Sequence, residues 1–295
     1  MQVKDNQPFQ LFLLLFTLLI LFPGVESAEC ASPMTKDIPW EELSNRDISK
    51  DWGKATLEKV HPEDWEHGET EHFIIHYTDD ASKIARRAED IYEEVFEFFD
   101  NPKDQFPEHK SHIYAIKEWN DWDQFRNEIA ELPWIGGVCR GHEFWFVSRD
   151  RYGDFDIDSE ILNHEMVHLI FNRIFPTRVP TWLNEGIAEY FGVRKATGKR
   201  EFRRRMGRNA PMKLRKLFQY TRNYPEEEKE RASLYSEAAI LVDYLTDDHE
   251  PEIMIDLVEK MRNGGDPITV LPELYGFENF EEFEEDYLKH RRRFE

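Results

Sequence analysis

Cysteine is scarce in this chain: Cys30 and Cys139 are the only two among 295 residues. A structural zinc cluster built without histidine needs four thiolates, so that class of site is excluded. Positive charge is also in short supply, with 38 Lys and Arg against 60 Asp and Glu and a formal net charge of -22. A surface of that sign repels phosphate backbones and anionic headgroups, which argues against nucleic acid as a partner. Long apolar runs are missing too. The longest is the twelve-residue stretch "LFLLLFTLLILF", Leu11 to Phe22. As a helix it would span about 18 Å, short of a hydrocarbon core of roughly 30 Å. The helix-breaking Pro23-Gly24 and the small Ser27 and Ala28 follow it. That layout predicts a secretory signal over residues 1–27, cleaved after Ser27 or Ala28. The expectation is an exported protein, secreted or periplasmic, with no stable membrane insertion after cleavage. An uncleaved signal anchor is the alternative, and Glu29 is the wrong neighbour for lipidation of Cys30. Both cysteines survive the cut. They can pair, tying the new N-terminus to the loop before residue 140, or stay as two free thiols.

What is present suits a folded core: 40 % hydrophobic and 14 % aromatic residues, enough for one large domain or two subdomains at this length. Residues 28–70 are polar and broken by Pro39, Pro62 and Gly68, and read as an N-terminal extension with at most short helices. "HFIIHY" is β-rich and predicts a strand. "ASKIARRAEDIYEEVFEFF" predicts a helix burying Ile84, Ala88, Ile91, Val95 and Phe98. "SHIYAIKEW" reads as a second strand, and "DWDQFRNEIAE" as a helix with Asp121 as N-cap. "EFWFVS" reads as a third strand introduced by a Gly136-Gly137 turn. It either offers an open edge to which an extended peptide adds as a further strand, or buries Phe144, Trp145 and Phe146 in the core. Two helices follow, the first capped near Asp158 or Ser159 and ended by Pro176 and Pro180, the second capped by Thr181. From there the pattern is helical throughout. The expected organisation is an α/β subdomain over 71–193 and a helical C-terminal subdomain over 194–295. Between Arg194 and Lys216 lie eleven Lys or Arg, either a solvated helix face or a patch facing substrate or another subunit.

The chemistry concentrates in "LNHEMVHLIF". His164 and His168 stand four apart, so on a helix they share a face and can aim two imidazole nitrogens at one ion. Glu165 is rotated about 100° round the helix, beside that ion rather than on it, where its carboxylate can take a proton from water. This order of ligand, base and ligand is the physical content of the HExxH pattern. Two surface histidines flanking a solvated Glu would be the plain alternative. It leaves the following segment unexplained. In "WLNEGIAEY", Glu185 and Glu189 again lie four apart on one face. Packing of the two helices across the Pro176–Pro180 loop would let Glu185 reach the ion as third ligand, leaving one position for water. Glu189 would then accept from the far nitrogen of His164 and fix its orientation. Gly186 costs about 1 kcal/mol in a helix relative to Ala, a cost that close approach between helices would justify.

HExxH followed by "PTWLNEGIAEY" resembles the gluzincins, zinc peptidases whose third ligand is a glutamate on the next helix. It is especially similar to the bacterial branch with the signature P-x-WL-x-EG-x-AEY. The resemblance runs from roughly Phe73 to Phe294 and leaves residues 28–70 outside. It implies a gluzincin-like α+β catalytic domain: a small mixed sheet, the HExxH helix and the glutamate-ligand helix, then a helical C-terminal part. It further implies one Zn2+ ion on His164, His168 and Glu185, with Glu165 as general base and Glu189 behind His164. The substrate would be a peptide or protein. "SLYSEAAILVDYL" is similar to the family segment after the ligand helix and puts Tyr235 at the place of the group that stabilises the oxyanion. A Tyr buried simply as core is the alternative there, and Tyr244 reads as structural. The function expected is a zinc-dependent metallopeptidase hydrolysing amide bonds. The alternatives are a catalytically silent zinc-binding protein of the same fold that binds peptides or envelope partners, and a closed structural site with a fourth side chain on the metal. His72, His76, His109, His112 and His142 have no partner at ligand spacing and read as surface or hydrogen-bonded histidines, His142 being the nearest to the site. The tryptophans, Trp182 among them, read as core.

Overall fold

The stretches FIIHY and SHIYAI lie side by side at the centre of a mixed sheet in a computed structural model of the chain. It describes residues 36–37, 53–60, 63–78, 81–99, 104–106, 108–129, 136–148, 160–176, 178–195, 197–247 and 251–295. The strands are β1 (Lys36–Asp37), β2 (Glu66–Glu69), β3 (Phe73–Tyr77), β4 (Ser111–Ile116), β5 (Gly137–Arg140) and β6 (Glu143–Val147). Their order across the sheet is β1-β2-β3-β4-β6-β5. The central pairs β3/β4 and β4/β6 are parallel, and the outer pairs are antiparallel. Parallel neighbours need a crossover. Helix α2 (Ser82–Phe98) supplies the one between β3 and β4, and α3 (Trp119–Ile129) lies between β4 and the β5–β6 hairpin. Helix α1 (Gly53–Lys59) precedes β2.

Every residue of β3, β4 and β6 is buried, because both sheet faces are covered. Phe73, Ile75, Ile113, Ala115, Phe144 and Phe146 pack into the main core with the buried stripe of α2. Tyr114, Ile116, Trp145 and Val147 face the other way, against Leu57, Trp122 and Phe125. Of the expected α2 stripe, Ile84, Ala88, Ile91 and Val95 are buried and Phe98 is half-buried.

The second half is helical. The motif helix α4 (Glu160–Ile174) is followed by α5 (Thr181–Glu189), which runs into a π-helical turn, Tyr190–Lys195. Then come α6 (Lys199–Met206), α7 (Leu214–Leu217), α8 (Glu228–Asp247), α9 (Pro251–Arg262), α10 (Pro267–Tyr275) and α11 (Phe280–Arg291), with a final 3-10 turn. Helix α8 is buried almost all round from Ser233 to Leu245, as expected for a helix at the centre of a bundle. Its apolar residues belong to the same core cluster as β3 and α4. The coarse class is therefore α+β, a small mixed open sheet with many helices. Tyr244 is structural: its hydroxyl donates to Asp286 at 3.0 Å. Among the described residues no helix is long and apolar enough to cross a membrane. Leu11–Phe22, Cys30 and the Asp158–Ser159 cap lie outside them.

Four local expectations are corrected. The extension before residue 71 holds more than short helices, since β1 and β2 extend the sheet. The polar sequence EHGE hides a strand whose partner, β3, supplies the apolar side chains. Helix α3 starts at Trp119, which puts Asp121 inside its first turn rather than at its cap. Helix α5 has Pro180 as N-cap and Thr181 as its first residue. Its Thr181 and Trp182 N–H groups donate instead to Thr221 O and Tyr220 O, at 3.1 and 3.2 Å. Finally, β6 is not the sheet edge. It lies between β4 and β5, so β5 carries the edge.

Three buried histidines cross the sheet in a hydrogen-bonded row. His67 Nδ1 meets His76 Nδ1 at 2.9 Å, and His76 Nε2 meets His112 Nδ1 at 2.9 Å. Tyr114 stacks on His76 with centroids 4.3 Å apart and donates to Glu143 at 3.3 Å. The row joins the extension strand β2 to the central pair. Burial holds the His67 ring down at about 4. Burial, then the neighbouring His112 and His67, hold His76 well below the usual range. In the unfolded chain such rings titrate near about 6.5. Between the two values the unfolded state binds more protons, so stability falls as pH drops below about 6.5, by up to about 1.4 kcal/mol per pH unit for each ring. For His67 that loss is complete once the pH passes its folded value. Urea unfolding at pH 7.5 and 5.0 is expected to give a lower midpoint at pH 5.0, with the difference reduced in His67→Gln. Equal midpoints for the parent protein would contradict neutral rings in the sheet.

Candidate metal centre

Helix α4 is fixed at both ends of its useful face. Near its start, Asn163 is buried. Its Oδ1 accepts from Arg87 Nε at 2.8 Å, and its Nδ2 donates to Gly192 O at 3.3 Å. Near its end, the buried Arg173 donates to Asp104 Oδ2 (2.9 and 2.5 Å), His109 O (2.6 Å), Phe106 O (2.9 Å) and Ser111 Oγ (3.1 Å). A guanidinium with that many partners locks the rotation of the helix as well as its position. Between these anchors, Met166, Val167, Leu169 and Ile170 enter the core, which turns His164 and His168 towards α5.

The approach of α5 depends on two glycines. A Cβ on Gly186 would lie 2.6 Å from Ala238 O and 2.8 Å from Val242 Cγ2, both on α8. Close approach is thus the reason for Gly186, and the partner is α8 rather than α4. The contact with α4 is made by Gly192 in the π-helical turn, where a Cβ would lie 2.9 Å from the backbone nitrogen of His164 and 3.0 Å from its Cα. One extra residue per turn is what brings that glycine onto the motif helix, a use of π-helix common at functional sites.

The result is a convergence of three ligand atoms. His164 Nε2 and His168 Nε2 are 3.1 Å apart, and Glu185 Oε2 is 3.2 Å from the first and 3.4 Å from the second. A tetrahedral ion with bonds of about 2.0–2.1 Å separates its ligand atoms by about 3.3–3.4 Å. The donor set therefore fits such an ion without rearrangement. Glu185 is buried, and its Oε2 has no hydrogen-bond partner. Glu189 Oε1 is 3.3 Å from His164 Nδ1, the relation expected for a carboxylate that orients a ligand imidazole. His168 Nδ1 is buried and has no hydrogen-bond partner among the described residues, so among them carboxylate orientation applies to His164 alone.

The electrostatics agree with the geometry. Burial opposes a charged His164 ring, yet Glu185 and Glu189 outweigh it and raise its affinity for a proton well above the ordinary value. Burial likewise raises the Glu185 carboxyl, but His168 and His164 pull it far below the usual carboxylate range. These groups together demand positive charge at one point. Glu165 behaves differently. Burial raises its carboxyl, only partly countered by His168, His164 and the backbone N–H of Cys139. A carboxylate raised towards working pH is suited to accept and return a proton.

No protein-family model and no curated protein sequence matches this chain.

His164, Glu165, His168, Glu185 and Glu189 are thus brought together. The Tyr235 ring lies 6.0 Å from the His164 ring, half-buried, with its hydroxyl group raised by burial and by the nearby Glu185. The sequence reading missed two contributors. One is Tyr224, whose hydroxyl donates to Glu185 Oε1 at 2.6 Å from the loop before α8. No periodicity or motif marks it. The other is β5, whose backbone at Cys139 is near enough to Glu165 to lower its carboxyl. Cys139 is a free thiol beside Asn172, with Nδ2–Sγ at 3.8 Å. Two further histidines have partners of their own. His72 pairs with Glu89 at 2.7 Å, and His142 lies edge-on to Phe106 with centroids 4.5 Å apart. Trp182 is fully buried against Phe218.

Among the described residues a second acid and histidine group is close enough to hold an ion: Asp243, Asp247 and His290. Its charge is already met from within the chain. Arg194 donates to Asp243 at 2.9 Å and to Asp247 at 3.3 Å, and Lys199 pairs with Asp247. The basic segment is spent largely on such pairs, Arg204 and Arg205 with Glu201, Arg215 with Glu281 and Lys216 with Glu230.

Gly192→Ala is expected to shift the His164 backbone, lowering stability by about 1–3 kcal/mol and weakening metal uptake. Gly186→Ala, which presses on α8 instead, is expected to lower stability by a similar amount. Chemical denaturation and a titration with Zn2+ check both. Uptake by Gly192→Ala as tight as in the parent would show that the turn does not set the His164 position.

Proposed function

We propose that this chain is a zinc-dependent metallopeptidase of the gluzincin type, acting on amide bonds of peptides or proteins. The observation that carries the reading is the meeting of His164, His168 and Glu185 atoms within 3.1–3.4 Å, with only those three side chains in the group among the described residues. Three ligands leave a tetrahedral ion one position for water, which favours a catalytic over a closed structural site. Zinc suits two imidazoles and a carboxylate. When bound there, it supplies Lewis acidity, polarising a carbonyl and acidifying water towards a pKa of about 7.

The residues of the chain would do the rest. Glu165, with its raised carboxyl, takes the proton of the attacking water and passes it to the leaving amine. Glu189 holds the His164 ring through Nδ1. The Tyr235 hydroxyl, kept protonated by burial and by nearby carboxylates, is available to donate to the oxyanion. Strand β5 is one edge of the sheet, and the backbone at Cys139 is near enough to Glu165 to lower its carboxyl, so an extended peptide added along that edge would pass beside the base. The twelve-residue apolar run near the N-terminus supports export as a signal-bearing protein.

Replacing Glu165 by Gln is expected to leave zinc content unchanged while lowering hydrolysis of a denatured protein by about 10²–10⁴-fold. Glu189→Gln is expected to weaken zinc binding by about 10–100-fold, and Glu185→Gln to weaken it further. Metal analysis together with a chelator-sensitive peptidase assay reads all three. Full activity in Glu165→Gln would refute the base assignment. The second reading is a catalytically silent zinc protein that binds peptides or envelope partners. It would be favoured by full zinc occupancy with no turnover of any denatured substrate.

A further inference from the structure

Tyr224 combines two properties that do not usually go together. It is one of two large apolar or aromatic side chains exposed among the described residues, at 43 %. Yet its hydroxyl points inwards and donates to Oε1 of the buried Glu185 at 2.6 Å. The other oxygen, Oε2, is the one that faces His164 and His168, and it has no hydrogen-bond partner. The two oxygens of one carboxylate are thus given different neighbours.

The loop bearing Tyr224 is secured to the helix that carries Glu185. Thr181 N–H donates to Thr221 O and Trp182 N–H to Tyr220 O, at 3.1 and 3.2 Å. On its other side, Arg231 Nη1 donates to Pro225 O at 2.8 Å and to Glu226 O at 3.1 Å. The Tyr224 ring lies nearly parallel to that of Tyr235, with centroids 6.3 Å apart. Tyrosine and carboxylate are therefore held as one unit.

We propose that Tyr224 is a positioning residue that makes Glu185 a one-oxygen ligand. A carboxylate beside a divalent cation can bind through one oxygen or chelate through both. Chelation would occupy the place left for water and lessen the electron-withdrawing power of the ion. A phenol donating to Oε1 competes with a cation for that oxygen and leaves Oε2 as the ligating atom. The inference rests on the zinc-site reading above and adds what keeps the fourth position open.

The test uses Tyr224→Phe in the full chain, which removes only a hydroxyl from an exposed ring and so leaves packing intact. Parent and variant are loaded with Co2+, whose visible absorption is stronger in four-coordinate than in five-coordinate sites. Peptidase turnover is measured in parallel with the zinc forms. The expected result is a weaker and shifted cobalt band in Tyr224→Phe, with a lower kcat and little change in KM. An unchanged band with unchanged turnover overturns the proposal and leaves the zinc-site reading standing. An unchanged band with lower kcat also overturns it, because the hydroxyl would then act on substrate rather than on Glu185. A parent protein that takes up no stoichiometric Co2+ overturns the proposal and the zinc-site reading together.

Discussion

Three lone-pair atoms held within 3.4 Å of one another, in a largely buried site, repel each other unless a proton or a cation lies among them. Much of the second half of the molecule is arranged to impose that contact. Helix α4 is pinned through Asn163 and Arg173. Helix α5 is pressed onto α8 through Gly186, and the π-helical turn brings Gly192 against the His164 backbone. None of these contacts is with the ion-binding atoms themselves. Relaxing any one of them would relieve the repulsion, so the packing energy of the core is what keeps the donor atoms poised. Burial of a large apolar side chain contributes about 1.5–3 kcal/mol, and α4, α5 and α8 together bury many. The site can therefore carry electrostatic strain that a loop-built site could not.

The electrostatic pattern follows from the same constraint. Placing Glu185 and Glu189 on one side of His164 raises that ring, while Glu165, one residue along the helix, meets burial without an equal share of positive charge and is raised instead. Glu185, on the facing helix, is thus held ionised by the two rings, while Glu165, beside them on their own helix, is suited to exchange protons. This is how neighbouring acids come to play different parts under one solvent condition.

Much of this was legible in the sequence, and the limits have physical causes. Spacing alone put His164 and His168 on one face, and Glu185 with Glu189 on another, because helical periodicity is rigid. The strands FIIHY and SHIYAI declared themselves through β-branched and aromatic content. Strand β2 did not, since EHGE borrows its apolar environment from β3 and the residues covering it. For EFWFVS the sequence leaves an edge and a core position open, and the core position holds, since three successive large apolar residues require cover on both faces. The short GVCR strand beside it carries the edge and has too few residues for any periodicity. Tyr224 was invisible for a related reason. A loop residue is placed by tertiary contacts, here the hydrogen bonds of Thr181 and Trp182 to the chain before it.

Residue type by itself does not separate a candidate metal centre from an ion-pair cluster, and two acid and histidine groups in this chain draw the contrast. Asp243, Asp247 and His290 also bring their ligand atoms within 4.8 Å of one another, and residues of these types are equally able to bind a cation. They differ in what surrounds them. Arg194 and Lys199 reach the first cluster from the π-helical turn and α6, so the positive charge it requires is covalently part of the chain. Around Glu185 the positive charge within the described contacts comes only from the two imidazoles, and only when they hold a proton; the phenol of Tyr224 is neutral, and no Arg or Lys forms an ion pair with Glu185 or Glu189 among the described contacts. A buried acidic group without an internal cation is costly unless one arrives from solution. The deficit of fixed positive charge at that one point, rather than the large negative charge of the whole molecule, is what marks the group as one that could hold a metal ion.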